Sequence, residues 1–125
     1  MKQSKVIRAY KAITTLYEQK LPLTISHKLW MLRQKLTPTW EFQNEKEQEV
    51  IRKYNPTIGE DGSVSFKDND EAIKFRDEYL KTCNELADLD VDIDNDKKIV
   101  LKLDDKLELS VEDIEALSEF VDFEE

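Results

Sequence analysis

The chain has one cysteine, Cys83, and one histidine, His27, in 125 residues. A lone cysteine excludes an intramolecular disulfide and a structural zinc site built on several thiolates. Glycine occurs only at positions 59 and 62, and proline only at 22, 38 and 56. So few chain breakers suit long helices better than many short strands, and no glycine-rich phosphate loop fits. No apolar run approaches the roughly 18 residues that a membrane-spanning helix needs. The start, Met1-Lys2-Gln3-Ser4-Lys5, is basic but leads into an amphipathic pattern, unlike the unbroken core of a signal peptide. Cytoplasmic residence without membrane contact is therefore the expectation.

What the chain does have is charge. Hydrophobic residues make up 39% and charged residues 38%, which fits one domain with a small core and a very polar surface. The net charge of −9 is unevenly spread. Residues 1–53 hold 11 Lys/Arg and 5 acids, whereas residues 54–125 hold 8 and 23. Two readings follow. The halves dock on each other, or on a second copy, with their charges partly compensating. Alternatively, one half faces a partner of opposite charge, such as a basic groove that receives the acidic half. Long-range repulsion from an acidic chain makes nucleic-acid binding by the basic half the weakest option.

Residues 5–54 read as two helices folded back at Lys20-Leu21-Pro22-Leu23. In the first, from about Ser4 to Gln19, Val6, Tyr10, Ile13 and Tyr17 share one face and Ser4 is an N-cap candidate. In the second, from Thr24 to about Tyr54, Ile25, Leu29, Leu32, Leu36 and Trp40 form the matching stripe. Pro38 implies a kink or short break with the direction kept. The polar run Gln43–Glu49 is expected to project into solvent or to meet a partner. Asn55-Pro56 ends this helix, and Glu60-Asp61-Gly62-Ser63 makes a turn before a short Val64-Ser65-Phe66 strand.

Asp68 with Glu71 marks the start of a third helix, to about Ala87, whose face is Ala72, Phe75, Tyr79, Cys83 and Leu86. The alternation in Leu89–Asp94 and in Ile99, Leu101 and Leu103 predicts a β-hairpin turning at Asn95–Lys98. Ser110 and Asp113 form an approximate capping box for a final acidic helix presenting Ile114, Leu117 and Val121. The expected fold is α+β and predominantly α, in a single domain. Residues 1–54 form a long antiparallel helical hairpin. Residues 55–125 form an α-ββ-α portion ending in the acidic C-terminal helix.

Candidate chemistry is sparse. Asp90, Asp92, Asp94 and Asp96 suggest calcium, but a loop started at Asp90 needs Gly where Asn95 stands and Glu where Leu101 stands. Asp92 as the start fails the same test at Lys97 and Leu103, so the solvated face of a strand explains the alternation better. His27 lacks identifiable triad partners, and Cys83 on an apolar helix face reads as a buried thiol. No metal, cofactor or catalytic residue is expected. Trp40 and Phe42, beside the polar run, are either core or anchors of a partner surface. Glu112, Glu115, Glu119 and Asp122 are the acidic residues placed to meet a partner.

Three stretches carry a resemblance: Leu16-Tyr17-Glu18-Gln19-Lys20-Leu21-Pro22 with Ser26-His27-Lys28-Leu29, the run Glu47 to Tyr54, and Leu109–Leu117. The chain resembles small proteins of unknown function encoded by phages and prophages of Gram-positive bacteria. Pro38 departs from the uninterrupted second helix expected there. The resemblance implies phage origin and an accessory role, and it carries over no active site. The expected function is non-catalytic binding of a host or phage protein, such as inhibition of a host defence or nucleic-acid-handling protein through the acidic surface. An assembly or chaperone-like role, holding a client or a second copy on the helical hairpin, is the alternative.

Overall fold

A computed structural model describes residues 1–93, 98–102 and 108–124. It contains four helices: α1 (Gln3–Leu16), α2 (Leu23–Tyr54), α3 (Asn69–Asp88) and α4 (Val111–Leu117). Two small sheets accompany them, β1 (Thr57–Ile58) with β2 (Val64–Ser65), and β3 (Ile99–Lys102) with β4 (Val121–Glu124). The fold is α+β and mainly α, as expected. The chain packs as two compact units. One comprises Met1–Trp40 and Asp90–Glu125, the other Glu41–Leu89. The boundary between them falls inside α2, between Trp40 and Glu41.

In the first unit α1 buries one complete face, Val6, Ala9, Tyr10, Ala12, Ile13 and Leu16, against Leu29, Leu32 and Leu36 of α2. Tyr10 stacks on Trp40 with centroids 5.2 Å apart, while Tyr17 lies beside Arg33. Later residues of α1 therefore meet earlier residues of α2, which is the antiparallel pairing that the two stripes predict. Pro22 disfavours helix at Leu21 and accepts the first helical bond from Ser26 N–H at 3.0 Å. The expected Ser4 cap is not used. Lys2 occupies the N-cap position without a side-chain bond, and Ser4 lies inside α1.

The rest of this core comes from the C-terminal stretch. Leu101, Leu117, Phe120 and Val121 are buried with the α1–α2 residues in one cluster. The β-hairpin predicted over residues 89–103 is corrected here. β3 pairs in parallel with β4, Ile99 opposite Val121 and Leu101 opposite Phe123, with α4 lying between the two strands in sequence. Asp90 instead bridges Lys2, and Val91 N–H donates to Met1 O at 2.8 Å. The alternation did sort the faces: Val91 and Ile93 pack on the core while Asp90 and Asp92 are exposed. Asp94, Asn95, Asp96 and Leu103 lie outside the described residues. Val121 is likewise a strand residue, because α4 stops at Leu117.

α2 continues as one helix through Pro38, so of the expected kink or short break the break does not occur. A proline inside a helix costs about 3 kcal/mol. Buried Leu36 and stacked Trp40 on either side hold the helix through it, and Thr37 Oγ1 donates to Arg33 O at 2.7 Å.

The second unit is built on the latter part of α2 and on α3. Asn55 adopts φ 44°, a left-handed conformation that Asn tolerates, and closes α2 ahead of Pro56. β1 and β2 form a tight hairpin whose turn requires Gly62 at φ 83°. Asp68 caps α3 by accepting from Glu71 N–H at 2.8 Å. Phe75 sits at the centre of a ring cluster, 4.9 Å from Phe66, 5.5 Å from Tyr79 and 5.8 Å from Tyr54.

Candidate functional site

Four of the six residues expected to meet a partner lie on α4 or just after it, and α4 runs along α1. Its acidic face meets the basic face of α1. Lys5 Nζ lies 3.3 Å from Glu119 Oε1. Arg8 shares a shallow groove with Glu115, and Arg8 and Lys11 share another with Glu112. Asp122 lies 3.8 Å from Lys98. The sequence reading in which opposite charges compensate within the chain therefore describes this seam. Exposed pairs of this kind contribute only about 0–1 kcal/mol each, so the apolar packing beneath them holds the helices together. α4 itself is fixed by a complete capping box between Ser110 and Asp113.

Trp40 and Phe42 diverge. Trp40 is half-buried on Tyr10 and belongs to the core of the first unit. Phe42 is 45% exposed, with Lys46 Nζ 5.6 Å from its ring centre. The polar run Gln43–Glu49 is not free in solvent throughout. Gln43 Nε2 donates to Glu47 Oε1 at 3.4 Å, and Cys83 Sγ lies 3.7 Å from the same oxygen. Burial, reinforced by the Glu47 carboxylate, pushes the Cys83 thiol up, which keeps it protonated at neutral pH.

A further surface was missed by the sequence reading. At the tip of the α1–α2 hairpin a groove of about 400 Å³ is walled by Leu16, Leu21, Leu23 and Leu29, with Tyr17, His27 and Trp30 on its margin. Leu23 is 84% exposed, Trp30 52% and Tyr17 40%. His27 lies over Trp30 with centroids 6.1 Å apart. Gln19 braces the tip, donating to Glu108 O at 2.6 Å and accepting from Glu108 N–H at 3.1 Å. The signal was present in the sequence: Leu23 and Trp30 fall off the buried stripe, and Pro22 forces the chain to turn beside them.

Beside this groove Arg33 lies over two rings, its guanidinium carbon 5.2 Å from the centre of Tyr10 and 5.0 Å from that of Tyr17. With Trp40 on Tyr10, these side chains form a continuous column Tyr17–Arg33–Tyr10–Trp40 along the seam. Arg33 Nε is buried without a hydrogen-bond partner.

In the second unit Glu78 gathers two donors. Tyr54 Oη donates to it at 2.5 Å and Lys53 Nζ at 2.9 Å. The tyrosine hydroxyl first, and the ammonium second, hold the Glu78 carboxyl below the usual carboxylate range. The same carboxylate raises both Tyr54 and Lys53.

Among the described residues no group of three or more His, Cys, Asp or Glu is placed to hold a metal ion. No helix there is long and apolar enough to cross a membrane. Compared with protein-family models, with curated proteins and with solved structures, the chain matches none.

Proposed function

We propose that this chain is a non-catalytic accessory protein that acts by binding another protein, and that it binds through the tip of its helical hairpin. The observation that carries this reading is the leucine-walled tip groove, edged by half-exposed Trp30 and Tyr17 and by nearly fully exposed Leu23. Apolar side chains held at an exposed edge gain free energy when a partner covers them, and exposed aromatics are frequent anchors of protein interfaces. An accessory role in a phage-infected or prophage-carrying cell is part of this proposal. A version in which α4 enters a basic groove on a host protein has weaker support, because Lys5, Arg8 and Lys11 already flank Glu119, Glu115 and Glu112.

The test is affinity capture from a Gram-positive host lysate with the tagged full chain and with Leu23→Glu. Leu23 is so exposed that its replacement leaves the core untouched. The expected result is a defined set of proteins retained by the parent and lost from the variant. Identical sets would overturn the tip as the binding surface.

A further inference from the structure

Resting on the reading that the tip binds protein, we infer that its occupant is an acidic, apolar segment of the partner. Its apolar side chains enter the leucine-walled groove, and one of its carboxylates meets the guanidinium of Arg33.

Charge carries the first part. Within residues 1–40 there are eight Lys/Arg and one acid, Glu18. Three of those cations, Lys5, Arg8 and Lys11, lie along the acidic face of α4. Lys20, Lys28 and Arg33 lie towards the tip, where Glu18 and Glu108 are the acids nearest in sequence or by contact. Among the described residues the tip therefore carries three cations against two acids, a small positive excess on an apolar surface of a chain of net charge −9. Screening limits exposed charges to about 8–10 Å at physiological salt, so a short acidic segment meets the local field of the tip.

Arg33 carries the second part. The chain holds 28 carboxylate side chains. Yet no acceptor pairs with Arg33 among the described residues, and its Nε is buried without a partner. Tyr10 and Tyr17 fix the cation through its π contacts, which leaves N–H donors for a planar anion. A pre-positioned guanidinium loses less side-chain freedom on binding than a mobile lysine does.

The walls decide between protein and nucleic acid. Four leucines favour aliphatic or aromatic side chains. A long polyanion would also meet the overall negative charge of the chain.

The experiment selects a random-peptide display library on the full chain at near-physiological salt. It is repeated with Arg33→Gln and Leu23→Glu, each checked for an unchanged circular dichroism spectrum. The parent should enrich peptides that place Asp or Glu beside large apolar residues. Arg33→Gln should bind such a peptide about tenfold more weakly, the scale of one charge-assisted hydrogen-bonded pair, about 1.4 kcal/mol. Leu23→Glu should abolish the enrichment. Enrichment of neutral or basic apolar peptides, with Leu23→Glu still inactive, would overturn the acidic occupant and leave the tip as a protein-binding surface. Failure to enrich any peptide would overturn the inference, while the lysate capture judges the wider reading separately. Tight binding of single-stranded oligothymidine, abolished by Arg33→Gln, would replace the peptide with nucleic acid.

Discussion

The two units of this chain are held together by different means. The first, Met1–Trp40 with Asp90–Glu125, closes a dry core in which Val6, Ala9, Ile13, Leu16, Leu29, Leu36, Leu101 and Leu117 are fully buried. The second, Glu41–Leu89, buries only Val50 and Leu86 among its large apolar residues. It relies on half-exposed rings around Phe75 and on the carboxylate of Glu78. The lesson concerns which interactions tolerate water. Aliphatic side chains stabilise by leaving water altogether, so they gather where the chain can surround them. Stacked rings and a charged cluster still contribute at a wet surface, but they contribute less. Amide-exchange protection should accordingly be deepest in α1 and shallower in α3.

The largest effect belongs to the dry core. Ile13→Ala should destabilise the first unit by about 2–5 kcal/mol, as expected for truncating a fully buried aliphatic side chain. Chemical denaturation read by tryptophan fluorescence would measure it, and a loss below 1 kcal/mol would contradict the contrast drawn above.

Phe75→Ala should cost less, about 2 kcal/mol, because the ring is only partly buried and its neighbours can shift. Exchange protection should fall in residues 41–89 and hold in α1. If protection falls equally in both, the two units unfold as one, and the comparison fails.

The smallest effect is that of pH. Glu78 titrates below its ordinary value in the folded chain. Its contribution is therefore fully present above the usual glutamate range and is lost as pH falls through the depressed folded value. Acid titration followed by tyrosine absorbance should show α2 and α3 loosening only below about pH 4.3, the unperturbed glutamate value. Glu78→Gln should remove that step. A step that persists in this variant would assign it to another carboxylate.

Much of this could be read directly from the residues. The spacing of Val6, Tyr10 and Ile13, and of Leu29, Leu32 and Leu36, requires one apolar stripe on each helix, and Pro22 requires the turn between them. The caps at Asp68 and Ser110, and the stop at Asn55-Pro56, are local events in which a side chain satisfies or removes a neighbouring backbone group, so they too were legible. Non-local pairing was not. Alternation says that Val91, Ile93, Ile99 and Leu101 face inward, but several partners satisfy the same alternation. Tertiary packing chose Met1 and Lys2 for one strand-like segment and β4 for the other. The candidate site divides in the same way. Sequence alone fixed the separation of acidic from basic residues and placed apolar Leu23 and Trp30 beside a forced turn. The fold alone decided that α4 spends part of its charge along α1, and that Arg33 is seated on two tyrosines with no carboxylate paired to it among the described residues, because both depend on which surfaces come together once the core has closed.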